Sequence, residues 1–126
     1  MDGSKVAYAL VQSTNWQTAE PRILSKHGVR DVIMGSTHGE FIVNFEDNFF
    51  NNTPAVTVTG LFNGWDGYKL NPVDTPTIPA GTNPCNQPVI ASLEWVTAKS
   101  CLVITSVLPF QLGSWFLSFS IIAAGS

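Results

Sequence analysis

The chain has 126 residues, a length suited to one domain whose core needs neither a metal nor a disulfide for stability. Only 12% of the residues are charged, the formal net charge is -3, and the six Lys and Arg residues form no basic stripe. These properties exclude nucleic acid and anionic membrane surfaces as expected partners. No apolar run reaches the length that membrane insertion requires.

The first residues, 1–4 (MDGS), lack the basic and apolar regions of a signal peptide and resemble a cloning remnant. The N-terminus therefore does not reveal the compartment of the protein. We expect a single domain over residues 1–126.

Short segments with two-residue alternation, separated by Gly, Pro and Asn, dominate the sequence. They predict strands, in chain order, over Val6–Gln12, Val29–Met34, Glu40–Glu46, Val56–Phe62, Val89–Val96, Cys101–Val107 and Trp115–Ala123. Trp95 shares the alternation phase of Leu93 and is predicted to lie in the core. This pattern predicts an all-β fold, an antiparallel, jelly-roll-like β-sandwich of seven or eight strands.

The last strands are apolar on both faces. Cys101 and Val103 alternate with Leu102 and Ile104, and Trp115–Ala123 also carries apolar residues on both sides. A sandwich strand buries only one face against its partner sheet, so we expect the second face to meet another subunit. A central strand covered by the N-terminal segment or by loops of the same chain is the alternative.

The two cysteines, Cys85 and Cys101, leave two interpretations open. A bridge between them would close a loop of about 15 residues and add about 3 kcal/mol of stability in the chain-entropy model. Two unrelated thiols, with Cys101 in an apolar strand, fit equally well. Because the sequence contains no Cys-x-x-Cys pair, we expect no structural zinc site, and no cofactor is predicted.

The segment 63–88 is the longest stretch without regular alternation, and it contains five of the eight prolines. It is predicted to be a long surface loop, and loops of this length in compact domains are usually functional. Prolines lower the entropy that is lost when such a loop is ordered.

The start of this loop, 63–69 (NGWDGYK), places two large aromatic side chains among polar groups and glycines. Sugar rings can stack on such aromatics while neighbouring polar groups bind the hydroxyls, so the segment predicts a ligand-binding surface. The candidate binding residues are Asn63, Trp65, Asp66, Tyr68, Lys69 and, from the loop after the first strand, Trp16. A tight glycine turn in which Trp65 covers the core is the alternative.

Catalytic chemistry has little support in the sequence. His27 and His38 both precede glycines, a context typical of turns. The Glu46-Asp47 pair fits a solvated strand end better than a cation site. A polysaccharide hydrolase would need two acidic groups in a cleft, for which Asp66 and Asp74 are the loop pair. We predict a non-enzymatic protein with no catalytic residues.

Three segments carry a resemblance to a known group of proteins. Residues 39–45 (GEFIVNF) and 53–59 (TPAVTVT) resemble the "G-x-[YF]-x-V-x-F... P-x-V-x-V-T" pairing of phage tail-fibre tips and H-type lectin-like domains. Residues 115–125 (WFLSFSIIAAG) are similar to the "F-x-F-x-A-x-G" terminal strand of the same group. The trimeric heads of C1q-like proteins are also similar.

The resemblance implies a homotrimeric β-sandwich at the tip of a fibre, outside the cell or on a cell or virion surface. Such a tip would bind a surface glycan or another envelope component and would serve host or prey recognition. The long proline-rich segment departs from the lectin pattern, and no H-type sugar-binding triad maps onto the chain. A structural trimerisation or capping module with no ligand of its own is the alternative function.

Overall fold

The computed structural model describes residues 4–13, 21–36, 39–61, 89–107 and 118–126. These residues form eight strands, which are β1 (Lys5–Ser13), β2 (Pro21–His27), β3 (Val29–Met34), β4 (Glu40–Phe45), β5 (Ala55–Gly60), β6 (Val89–Val96), β7 (Ser100–Val107) and β8 (Phe119–Gly125). Among the described residues, no helix is long and apolar enough to cross a membrane.

The strands make two antiparallel sheets of four strands each. Sheet 1 has the order β2-β1-β8-β5, and sheet 2 has the order β3-β4-β7-β6. The strands β2 and β3 lie together at one side of the molecule, and β5 and β6 lie together at the other. The predicted antiparallel β-sandwich is confirmed, and its core lies between the two sheets.

Strict alternation sends one face of each central strand into this core. In β4, Phe41, Val43 and Phe45 are buried while the residues between them are half-buried. In β8, Phe119 and Ile121 are buried in the same way. The phases predicted for these strands are therefore correct. Burial of each large apolar side chain contributes about 1.5–3 kcal/mol, so these inward faces hold the sheets together.

The sequence prediction missed β2. This edge strand starts at a proline and its residues 24–27 are all exposed, so it lacks the alternation of a half-buried strand. Gly28 then turns the chain from sheet 1 into sheet 2 with a φ of 71°. A Cβ at Gly28 would lie 2.7 Å from Phe49 Cζ and 2.9 Å from Ala7 Cβ, so only glycine fits this corner.

The predicted core position of Trp95 is wrong. Its side chain is 40% exposed and lies on the outer face of sheet 2. The cause is a β-bulge in β6, where Leu93 pairs with Val103 and Trp95 already pairs with Leu102. The extra residue, Glu94, breaks the alternation that placed Leu93 and Trp95 on one face.

The last strand begins at Phe119 in the described part of the chain and continues to Gly125, two residues beyond the predicted end. Residues 115–117 lie outside the described residues. Cys101 is a free thiol that is fully buried on β7, so the structure favours the interpretation without a disulfide. Cys85 lies outside the described residues.

Candidate interaction surfaces

The connections between strands are distributed unevenly over the two ends of the sandwich. In sheet 1, Ser13 at the end of β1 pairs with Pro21 at the start of β2. Phe119 at the start of β8 pairs with Val11 and with Gly60, the last residue of β5. The strand ends that flank segments 14–20, 62–88 and 108–117 therefore lie at one end of this sheet.

The strand ends of sheet 2 are arranged in the same way. Met34 at the end of β3 pairs with Phe41 near the start of β4, and Val89 pairs with Val107. The rings of Phe41 and Phe119 are 5.3 Å apart between their centroids, so these ends of the two sheets coincide. We call this the loop end, because the strands that flank segments 14–20, 37–38, 62–88 and 108–117 begin or end there.

The opposite end, which we call the base, carries the connections at Gly28, 46–54 and 97–99. At the base, the backbone amides of Asn51 and Asn52 donate to the Ser126 carbonyl oxygen at 2.9 and 3.0 Å. Backbone hydrogen bonds thus hold residue 126 against the 46–54 connection at the base. These hydrogen bonds join segment 46–54 to residue 126 across a long separation in the chain.

The predicted ligand-binding residues lie outside the described residues. Trp16 belongs to segment 14–20, and the set Asn63, Trp65, Asp66, Tyr68 and Lys69 belongs to segment 62–88. The topology brings the flanking strands of both segments to the loop end. Sequence alternation alone could not predict this coincidence, because it depends on which strands pair and in which direction.

Sheet 2 has an apolar outer face. The cross-strand register aligns Ile33, Ile42, Leu102 and Trp95 in one row that crosses all four strands. Ile33 is 47% exposed, whereas Leu102, in the middle of the row, is buried by the chain itself. Ile104 continues this face toward the loop end. The predicted apolar character of both faces of β7 is confirmed for its described side chains.

Sheet 1 has an apolar outer face as well. Tyr8 pairs with Ile122 in the register of β1 and β8. Val6 and Ala124 form the next pair along these strands whose side chains point outward. Ile122 is 55% exposed and Val6 is 50% exposed. The chain itself therefore does not cover the outer face of β8 at Ile122. Both broad surfaces of the sandwich present large apolar side chains to solvent.

An aromatic cluster borders sheet 1 at the base. The His27 ring stacks on Tyr8 and meets Phe49 edge-on, with centroid distances of 5.9 Å in both cases. Lys5 Nζ donates to the Phe49 carbonyl oxygen at 2.8 Å and lies 5.6 Å from the centre of that ring. His27 therefore ends β2 beside the Gly28 turn and packs against neighbouring rings. The sequence prediction did not find this cluster, because its members are far apart in the chain.

The acidic pair at the end of β4 is solvated, as the sequence predicts. Glu46 and Asp47 are exposed, and Arg30 Nη1 donates to Asp47 Oδ1 at 3.1 Å. Asp31 accepts from Asn44 Nδ2 at 2.6 Å. Within the described ranges, no three His, Cys, Asp or Glu side chains are grouped closely enough to hold a metal ion. Residues 37–38 and 62–88 lie outside these ranges, so His38, Asp66 and Asp74 are not described.

Cys101 has no features of a nucleophile. Burial raises the pKa of its thiol from 9.0 to about 12, because the charged thiolate is poorly solvated in the core. A reactive cysteine needs a thiolate near neutral pH and access to solvent. Cys101 is therefore a packing residue.

No protein-family model, curated protein or solved structure matches this chain. The resemblance to fibre tips and lectin-like domains rests on residues 39–45, 53–59 and 115–125 alone. The function that it implies is accordingly a proposal.

Proposed function

We propose that this chain is a non-enzymatic recognition domain that forms the trimeric tip of a fibre at a cell or virion surface. It binds a surface glycan or another envelope component through segments at the loop end. The observation that supports this function is that the strand ends flanking these segments lie at the same end of the sandwich. The flanks of the segments that carry Trp16 and Trp65 lie together on a rigid sandwich, the arrangement that many binding proteins use.

Multivalency explains how such a domain binds tightly with modest sites. Three sites on one rigid tip engage a surface together, and the effective concentration of the second and third sites raises avidity about 100-fold or more without any new contact. The low charge of the chain fits recognition by stacking and neutral hydrogen bonds rather than by ion pairing.

Glycan-array binding by the wild type and by Trp65→Ala tests this proposal. We expect Trp65→Ala to reduce binding about 5- to 150-fold, because loss of an aromatic stacking platform removes about 1–3 kcal/mol. Thr53→Ala at the exposed base is the matched control and should bind as the wild type does. Unchanged binding by a folded Trp65→Ala protein would remove Trp65 from the site.

A structural trimerisation or capping module is the second candidate. The observation that favours it is the apolar outer face on each sheet, which serves assembly without any ligand. A wild type that assembles but binds no glycan or envelope preparation would support this function over recognition.

A further inference from the structure

We propose that copies of this chain associate head to tail, with the outer face of sheet 1 of one copy against the outer face of sheet 2 of the next. This inference deepens the oligomeric part of the proposed function and rests on it. The partner is a second copy of the same chain. Apolar area, the number of exposed faces and the distribution of charge support this mode of association.

The first argument is the number of apolar faces. Six of the seven large exposed hydrophobic side chains lie on the two outer faces, with Val6, Tyr8 and Ile122 on sheet 1 and Ile33, Ile90 and Trp95 on sheet 2. A symmetric pair that joins like faces would cover one apolar face per copy and leave the other exposed to water. Head-to-tail contacts use both faces of every interior copy.

The second argument is charge. The four strands of sheet 1 carry three basic residues and no acidic one, whereas those of sheet 2 carry three acidic residues and one basic. On the outer faces themselves, the register places Arg22 on sheet 1, and places Glu40 and Asp31, which is paired with Arg30 at 3.3 Å, on sheet 2. Two copies of the sheet 2 face would bring acidic groups together, whereas contact between unlike faces brings the Arg22 side of one copy to the acidic side of the next.

These charges decide the partner more than they strengthen the contact. Exposed ion pairs contribute only about 0–1 kcal/mol each, so the apolar rows supply most of the affinity. Complementary charge instead disfavours the wrong pairing and fixes which faces meet. The exposed apolar side chains of this face, Ile33, Ile90 and Trp95, thus supply the contact, and the acidic groups of sheet 2 lie at its margin.

Head-to-tail contact has a consequence for the number of copies. A contact between two different faces cannot stop at two symmetric copies, since each pair leaves one free face of each kind. Association continues until a ring closes or a stack grows, and the smallest such ring has three members. A trimer with threefold symmetry likewise joins two different surfaces of each copy, and the two outer faces close such a ring only where they are inclined to each other.

Mixing two variants tests the proposal directly. Ile122→Glu places a carboxylate in the centre of the sheet 1 face, and Ile33→Glu does the same on sheet 2. Both positions are about half exposed, so the core is unchanged. An unpaired charge buried in a contact is strongly unfavourable. Thr53→Glu at the exposed base is the control for the added charge.

We expect each face variant alone to be a single chain by sedimentation, and the Thr53→Glu control to associate as the wild type does. An equimolar mixture of Ile122→Glu and Ile33→Glu should give a particle of two chains, joined through the one intact face of each. Circular dichroism and urea unfolding establish that the variants are folded. Tyr8→Glu and Ile90→Glu are the replacements if either first variant does not fold.

A mixture that stays monomeric overturns the head-to-tail contact. So does a wild-type dimer that only one of the two face variants dissociates, because that result indicates a symmetric contact between like faces. A wild type with more than three copies supports the contact but removes the trimer from the proposed function. Glycan binding by the wild type is measured separately, so a wild type that binds no glycan would contradict the proposed recognition function and not this inference.

Discussion

At the scale of single residues, the Cys101 thiol shows how the core controls chemistry. The side chain lies on a central strand with no exposed surface, and its neighbours across the register are Val43 and Val96. Because the thiolate is poorly solvated there, the pKa rises to about 12. The residue therefore stays protonated and unreactive at every physiological pH.

We predict that Cys101 reacts with a disulfide reagent far more slowly in the folded protein than in urea, because the side chain has no exposed surface and burial raises the pKa of its thiol. The measurement uses a Cys85→Ser background, so that Cys101 is the one thiol present. Equal rates in the folded and unfolded protein would show that β7 is not buried as described.

At the scale of strands, the β6 bulge decides which side chains reach the core. Leu93 points inward and packs against the core, and Trp95 points outward after the extra residue Glu94. Substitution with Thr, which retains strand preference, separates the two positions. We predict that Leu93→Thr costs about 1–3 kcal/mol of unfolding free energy and that Trp95→Thr costs less than half as much.

Urea unfolding in the Ile122→Glu background measures this difference in a protein that we expect to be monomeric. That background removes any contribution of Trp95 to contacts between copies. A larger loss for Trp95→Thr than for Leu93→Thr would mean that Trp95 lies in the core and that the bulge is absent.

The strands also show how far sequence alone can predict this fold. Alternation gave β3 and β6 with their observed bounds and the correct inward faces of β4 and β8. It failed where the backbone departs from two-residue periodicity, at the exposed edge strand β2 and at the Trp95 bulge. Composition and periodicity carry no signal for a one-residue bulge, since it depends on the partner strand.

The candidate surfaces were likewise predictable from the sequence only in part. Apolar residues on both faces of β7 and β8 were visible in the sequence, so the exposed outer faces could be expected. The row from Ile33 to Trp95 could not be predicted from the sequence, because it depends on the register of four strands. The shared loop end likewise follows from strand pairing, which local sequence does not determine.

At the scale of the whole molecule, the sandwich has three distinct regions. The base carries the connections at Gly28, 46–54 and 97–99, the loop end carries the strand ends that flank segments 14–20, 37–38, 62–88 and 108–117, and the two broad faces are apolar. In the proposed function, recognition uses the loop end and assembly uses the sides, so the two roles would not compete for the same surface.

Assembly through the broad faces is the central claim, and the mass of the wild-type particle tests it most directly. One chain has a mass of 13.6 kDa. Sedimentation velocity over a range of protein concentrations should find particles of at least three chains at the upper concentrations. A single chain at every concentration, with Ile122 and Ile33 accessible to solvent, would contradict the account.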